Sequence, residues 1–163
     1  MMKKASGFTL IELMVTISIL AILSTIAVPG FQALIQNSRA TTLANELVST
    51  FNYARSEAVR RGATVSVCSD NWVTGWRVEL GTSCNASDAN ILRFWESPQP
   101  GSVISSNNIT AVGFEPTGAR FNPGSNEVTF QVHVENCKGL RARTLRISPS
   151  GRIGVERVDC PAS

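Results

Sequence analysis

The sequence predicts an α+β protein in which one long N-terminal helix packs on a mainly antiparallel β-sheet domain. Three features of the 163-residue chain lead to this prediction. Residues 8–28 form an almost unbroken apolar run, and residues 30–61 carry apolar side chains at helical spacing. After Gly62 the pattern changes to the alternation of apolar and polar residues that is typical of strands.

The apolar run has the length of a membrane span. Between Phe8 and Val28 the only charged residue is Glu12. As a helix the run would be about 31 Å long, which matches the hydrocarbon thickness of a bilayer. A secretory signal would have a shorter apolar core before a cleavage site, so we expect the run to be retained. Lys3 and Lys4 precede it and predict a cytoplasmic N-terminus with the body of the chain outside.

Beyond Pro29 the pattern becomes amphipathic. One apolar stripe at helical spacing is formed by Leu43, Leu47, Phe51, Ala54 and Ala58. Gly62 directly follows the basic pair Arg60 and Arg61, a combination that favours the end of a helix. We therefore predict one helix from about Phe8 to Arg61, bent near Pro29 and Gly30.

Six later segments alternate as half-buried strands do: TVSVC, GWRVEL, ILRFW, EVTFQVHV, TLRIS and RIGVERV. In the clearest of them Val128, Phe130, Val132 and Val134 share one face. The turn signal PSG between the last two predicts a hairpin in which Arg152 faces solvent while Ile153 and Val155 face the core. Residues 85–90 and 97–108 are rich in Ser, Asn, Pro and Gly and are predicted to be loops.

The four cysteines predict two disulfides if the body of the chain lies outside the membrane. Four cysteines allow three pairings, and the sequence does not decide among them. We favour Cys68–Cys84 and Cys137–Cys160 because each pair closes a short loop. The cysteines have no C-x-x-C spacing, and there is a single histidine, His133, so a zinc site is not expected.

Nothing in the sequence points to catalysis. His133 falls on the polar side of its strand, and no nucleophile motif accompanies it. Trp72, Trp76 and Trp95 are expected to serve packing. The chain is therefore predicted not to be an enzyme and to need no cofactor.

The C-terminal end of the chain is basic although the body is nearly neutral. Without the first seven residues the chain has 13 basic and 12 acidic residues. Six basic and two acidic residues lie between the last two cysteines. Those we consider candidates for binding phosphate are Lys138, Arg141, Arg143, Arg146 and Arg152, and Arg157 is the sixth. The alternative is a solvated basic face, or arginines that pair with acidic groups of a neighbouring subunit.

The first residues of the apolar run resemble a known processing signal. GFTLIELMV is similar to the class III signal of type IV prepilins and type II secretion pseudopilins, and ARSEAVRRGATVSVC and WVTGW resemble the GspH/FimT family. This resemblance implies a type IV pilin-like fold, cleavage between Gly7 and Phe8 by a prepilin peptidase, and N-methylation of Phe8. It divides the chain into a leader (1–7), a transmembrane and filament-core helix (8–29), an amphipathic helical half (30–61) and a β-rich domain (62–163).

The resemblance also implies a role for the acid in the apolar run and a set of partners. Glu12 would pair with the N-terminal amine of Phe8 in a neighbouring subunit and so set the register of assembly. The implied partners are other major and minor pilins and the peptidase. Before assembly the chain would cross the bacterial inner membrane once with its C-terminus in the periplasm, and afterwards it would lie in a pilus at the cell surface.

Three functions are compatible with this family. The preferred one is a minor pilin at the tip or in the initiation complex of a type IV pilus, needed for assembly and twitching motility. The first alternative is a minor pilin that binds double-stranded DNA without sequence preference during natural transformation. The family's DNA-binding motif, Gly-Arg-x-Arg, is matched by Gly151 and Arg152, but Gly154 replaces the second arginine. The other alternative is a minor pseudopilin of a type II secretion system.

Overall fold

The structure, a computed structural model, describes residues 7–84, 88–121 and 126–161. These residues form one α-helix, one 3₁₀ helix at Asp88–Asn90 and eight strands. The helix α1 spans Leu10–Arg61. The strands are β1 Val65–Cys68, β2 Trp76–Leu80, β3 Ile91–Trp95, β4 Ser102–Ser105, β5 Ala111–Phe114, β6 Val128–Val134, β7 Ala142–Ile147 and β8 Ile153–Val158.

The chain divides into two compact units, residues 1–35 and residues 36–163. In the first unit every described side chain from Phe8 to Val28 is exposed. The helix is long and apolar enough at this end to cross a membrane. Most of the predicted leader, residues 1–6, lies outside the described residues, and so does the side chain of Pro29. The bend near Pro29 and Gly30 stays a prediction.

In the second unit the helix packs through the stripe that the sequence predicts. Leu43, Leu47, Phe51, Ala54 and Ala58 are all at most 4% exposed. The helix ends at Arg61, and Gly62 has a positive φ of 62°, which glycine adopts without strain. The predicted C-terminal end of the helix is therefore confirmed.

Two four-stranded antiparallel sheets complete the second unit, with strand orders β3-β2-β1-β5 and β4-β6-β7-β8. Alternation along β6 buries Phe130, Val132 and Val134, as expected. The hairpin of β7 and β8 is also formed. The predicted α+β fold, with one long helix on antiparallel sheets, is confirmed.

Aromatic side chains join the helix to both sheets in one core. The ring of Phe51 on the helix lies 6.1 Å from Trp72 and 5.2 Å from Phe130 on β6, measured between centroids. The indole of Trp72 donates to the carbonyl of Ile109, and that of Trp76 donates to Thr50 Oγ1 of the helix. Both buried N–H groups therefore have partners, which agrees with a packing role for these tryptophans.

Several local predictions were wrong, and most of the errors concern sheet edges. The predicted loop at 97–108 contains β4, a four-residue edge strand, and β5 was not predicted at all. Val155, which was expected to face the core, is 46% exposed, because β8 is also an edge strand. Edge strands are short and half-covered, so the period-2 pattern there is weak or does not mark a core face.

Two smaller differences concern residues 85–90 and the start of the helix. Residues 85–87 of the other predicted loop lie outside the described residues, and residues 88–90 form a 3₁₀ turn. The helix begins at Leu10, two residues later than expected.

Candidate assembly and anion-binding sites

The N-terminus of the helix is closed by a capping box that the sequence analysis missed. Thr9 precedes the first helical residue, and its Oγ1 accepts from the backbone N–H of Glu12 at 3.3 Å. In return Glu12 Oε2 accepts from the backbone N–H of Thr9 at 3.3 Å and from its hydroxyl at 3.2 Å. The sequence signal was present as T-x-x-E before an apolar run. Thr9 and Glu12 therefore accept hydrogen bonds from backbone N–H groups at the N-terminal end of the helix.

The first half of the helix exposes apolar side chains along its length, such as Leu10 at 77% and Ile26 at 74%. The side chains of Ser18 and Ser24 donate to carbonyls four residues earlier in the helix. Thr16 and Thr25 donate in the same way to carbonyls three residues earlier. These hydrogen bonds satisfy the hydroxyl groups within the helix, so its surface is compatible with lipid or with other apolar helices.

The basic residues near the C-terminus do not form one surface. Arg141, Arg143 and Arg157 lie beside Gln36 and Asn37 of the helix. Arg146 and Arg152 are exposed farther along the hairpin, towards and within its turn, and Lys138 is exposed in the segment before β7. The sequence predicted the charge but not this division.

Arg143 is buried against the helix and is 7% exposed. Its Nη2 donates to Asn37 Oδ1 at 2.7 Å and to Thr41 Oγ1 at 2.9 Å, and its Nη1 donates to the carbonyl of Ala142 at 3.0 Å. Burial lowers the pKa of this guanidinium, and the nearby charge of Arg157 lowers the pKa further. Arg143 thus links the second sheet to the helix. Binding of phosphate would require an exposed guanidinium, and Arg143 does not provide one.

Arg143 and Arg157 are direct partners across β7 and β8. Arg157 Nη2 donates at 2.9 Å to Asn37 Oδ1, the oxygen that Arg143 also uses. Arg141 Nη1 donates to Gln36 Oε1 at 3.4 Å. Among the described residues no carboxylate forms an ion pair with any of these three arginines. We call Arg141, Arg143 and Arg157 the arginine cluster.

The other predicted cations have different surroundings. Arg146 lies 3.8 Å from a carboxylate oxygen of Glu127 and 3.5 Å from one of Glu156. Arg152 is exposed in the turn, and its backbone N–H donates to Ser148 Oγ. Arg146 is therefore partly neutralised, whereas the side chain of Arg152 forms no ion pair with any described residue.

Both disulfides that the sequence analysis favoured are present. They link Cys68 with Cys84 and Cys137 with Cys160. The carboxylate of Glu79, fully buried and paired with Arg77 at 2.9 Å, lies close to the first of them. Because both sulfurs belong to the disulfide, these three residues do not provide the thiolates that a metal site would require.

His133 is half-buried on β6, and its Nδ1 lies 3.2 Å from the carbonyl oxygen of Val134. Trp95 is half-buried, with the guanidinium of Arg93 4.5 Å from its ring centroid. These contacts stabilise the surface of the sheets.

Two family models match the chain. The model described as type II transport protein GspH matches residues 43–151. The model of the prokaryotic N-terminal methylation motif matches residues 2–28. Together they cover the capped N-terminus and most of the sheet unit.

Solved structures with the same fold are minor pilins and a minor pseudopilin. The type IV minor pilin FimU of Pseudomonas aeruginosa is 27% identical, with a TM-score of 0.62 over 73% of this chain and 89% of that one. A second crystal form of FimU gives 28% identity and a TM-score of 0.59 over 71% and 91% of the two chains. The minor pseudopilin EpsH from the type II secretion system of Vibrio cholerae is 11% identical, with a TM-score of 0.54 over 73% and 97%. The likeness to EpsH concerns the fold alone.

Curated relatives match over a short stretch. The type IV major alpha-pilin and the fimbrial protein Q of Moraxella bovis are each 46% identical over 48 residues, 29% of this chain. The matched stretch spans less than a third of either relative, 30% and 31% of their lengths.

Proposed function

The chain belongs to the family described as type II transport protein GspH, and within this family we propose that it is a minor pilin of a type IV pilus. The methylation motif at its N-terminus places an apolar, pilin-type helix in front of the GspH region. Its work would be non-covalent, through helix packing and contacts between globular units. In this role it joins the tip or the initiation complex of the pilus.

The observation that carries this choice is the likeness to the minor pilin FimU. Both crystal forms of FimU are 27–28% identical to this chain, whereas the pseudopilin EpsH is 11% identical and has the lower TM-score. The higher sequence identity, in addition to the shared fold, favours a role in a type IV pilus over a role in type II secretion.

The N-terminus would be processed before assembly. We infer cleavage between Gly7 and Phe8 by a prepilin peptidase at the cytoplasmic side of the inner membrane, followed by methylation of the new amine on Phe8. The exposed apolar helix would then hold the chain in the membrane, with its C-terminal unit in the periplasm. On assembly the same surface would pack against the helices of neighbouring pilins.

Glu12 would act at the moment of assembly. A carboxylate within an apolar segment is costly unless it is paired. The capping box satisfies one oxygen of Glu12 within its own chain. The positive amine of Phe8 from a neighbouring subunit would neutralise the remaining charge and fix the axial register.

Deletion of the gene tests whether the protein acts in a type IV pilus or in a type II secretion system. The expected result is loss of twitching motility and of surface pili, with normal secretion of type II substrates. The matched control restores the gene from a plasmid. Intact motility together with a secretion defect would overturn the proposal in favour of the pseudopilin alternative.

DNA uptake stays a prediction from the sequence, and we do not propose it as a second function. Of the five candidate residues, Arg143 is buried and Arg146 lies beside two carboxylates. No described feature joins the remaining three into a track along which a duplex would lie.

A further inference from the structure

The arginine cluster has an arrangement that costs stability. Like charges directly opposite each other on neighbouring strands repel, and Arg143 and Arg157 are such a pair. Arg141 adds a third positive charge that binds the same short stretch of helix, Gln36 and Asn37. Elsewhere on the same hairpin Arg146 has two acidic neighbours. Among the described residues, acids therefore balance one arginine of the hairpin and form no ion pair with the cluster.

The cluster retains hydrogen-bonding capacity for an anion. A guanidinium carries five N–H donors. The described structure gives Arg157 one side-chain bond, to Asn37, and Arg141 one, to Gln36. Arg157 is exposed and Arg141 is half-buried. Their remaining donors suit the oxygens of a phosphate, which guanidinium groups bind in a bidentate manner.

The position of Gln36 and Asn37 in the chain indicates where that phosphate lies. The apolar run ends at Val28, but exposed apolar side chains continue to Leu34 and Ile35. In sequence, Asn37 follows Ile35 by two residues and Val28 by nine, and a helix rises by about 1.5 Å per residue. The headgroup layer occupies the first ~5–8 Å outside the hydrocarbon, and arginine side chains reach several ångströms further. Phospholipid phosphates are the anions concentrated at this distance.

We propose that the arginine cluster binds the phosphate of an anionic phospholipid while the chain is anchored in the membrane. Arg141 and Arg157 supply the donors to the headgroup, and the buried Arg143 holds Asn37 through a hydrogen bond and adds positive charge. This inference concerns the state before assembly and goes beyond the role in the pilus. A negative result would leave the proposed minor-pilin function untouched.

A lipid fits the cluster better than a nucleic acid does. Proteins that bind duplex DNA through its backbone commonly neutralise a long series of phosphates. Here two exposed or half-exposed guanidiniums converge on one place, and Arg152 lies at the other end of the hairpin. One headgroup matches two convergent cations.

The test uses the full-length chain, purified in detergent and titrated with phosphatidylglycerol or phosphatidylcholine while bound lipid is counted by native mass spectrometry. The variant carries Arg141→Gln and Arg157→Gln. The matched control carries Arg146→Gln and Arg152→Gln, which removes the same charge from the same hairpin outside the cluster. Arg143 is left unchanged, since its replacement would disturb folding. Equal thermal unfolding temperatures of the variants serve as the check on folding.

We expect the wild type to prefer phosphatidylglycerol and the cluster variant to bind it about 25-fold more weakly, since each basic group near an anionic surface contributes about fivefold. The control variant should bind as the wild type does. Equal weakening in both variants, or none in the cluster variant, would overturn the proposal.

Two further titrations test whether the cluster instead binds free phosphate or DNA. If low-millimolar inorganic phosphate displaces the lipid completely, the site is one for free phosphate and the lipid assignment is wrong. A short DNA duplex is titrated against the same proteins. Duplex binding that is lost in the cluster variant while lipid binding is unchanged would likewise overturn the proposal.

Discussion

Glu12 combines two properties that can be separated by substitution. Its side chain completes a capping box with Thr9, which is a local structural role. It also carries the only charge between Phe8 and Val28, which is the property that assembly would use. Substitutions can separate the two, because glutamine keeps the capping geometry and loses the charge, whereas valine loses both.

We predict that Glu12→Gln leaves the chain in the membrane but strongly reduces its incorporation into pili, about as much as Glu12→Val does. The reason is that an uncharged side chain cannot attract the amine of a neighbouring Phe8. Incorporation is measured by immunoblot of sheared pili against total membrane protein. Wild-type incorporation of Glu12→Gln alongside a defective Glu12→Val would assign the residue to capping alone.

Arg143 illustrates how a residue that looks like a surface cation becomes part of a core. We predict that Arg143→Ala lowers the free energy of unfolding by about 1–2 kcal/mol, since bonds to Asn37 and Thr41 are lost while repulsion with Arg157 is relieved. Denaturant unfolding of the full chain in detergent, followed by tryptophan fluorescence, measures the change.

The control for this substitution is Arg152→Ala, which removes an exposed arginine of the same hairpin and should alter the free energy of unfolding by less than about 0.5 kcal/mol. If the two variants are equally stable, Arg143 does not tie the sheet to the helix as its hydrogen bonds indicate.

At the scale of elements, the end of α1 is stabilised by a charged triad. Glu57, which is 8% exposed, accepts from Arg60 at 2.6 Å and from Arg61 at 2.7 Å. The hydrogen bond from Arg60, and then that from Arg61, lowers the pKa of the Glu57 carboxyl below its ordinary value of 4.5. Both arginines lie in the last turn and also interact favourably with the negative end of the helix dipole.

This lowered pKa sets the direction of a pH effect. A carboxyl with a depressed pKa in the folded state stabilises the fold above pH 4.5, and that contribution is lost as the pH falls through the folded pKa. We predict that Glu57→Gln lowers the Tm by at most about 2–4 °C at neutral pH, because exposed arginines form weak ion pairs. Thermal unfolding at neutral pH and well below pH 4.5 should show the difference between wild type and variant disappearing at the acidic pH. A difference that persists there would contradict the ion-pair explanation.

At the scale of the whole molecule, the two units need different surroundings. Residues 8–28 expose apolar side chains in every direction, whereas the second unit buries its own core. Such a chain must keep the first unit in lipid or in a bundle of helices. We therefore expect the proposed processing site to lie where the membrane begins.

We predict that Gly7→Val prevents removal of the leader, so that the full-length mass is retained, while the chain still resists extraction from membranes by alkaline carbonate. The wild-type chain should lose the mass of its first seven residues and gain one methyl group. Intact-mass spectrometry of both purified chains measures this. A shortened Gly7→Val chain would show that cleavage occurs elsewhere.

Sequence patterns that extend over only a few residues were sufficient to predict the helix and much of the two sheets. The buried stripe, the stop at Gly62, the alternation of β6 and the β7–β8 hairpin all depend on short-range periodicity and turn chemistry. Membership of the family was also readable, because its N-terminal signal is a contiguous motif, and the family models confirm it.

Contacts between distant residues had to come from the tertiary structure. The arginine cluster joins side chains more than 100 positions apart in the chain, such as Arg143 and Asn37. Whether an arginine is buried, paired with an acid or free depends on the order of strands and on which of them lie at an edge. Charge and periodicity are local properties of a chain, so the sequence predicted a basic C-terminal end. Burial depends on every element packed around a residue, so only the fold distinguished the buried Arg143, the partly neutralised Arg146 and the pair Arg141 and Arg157.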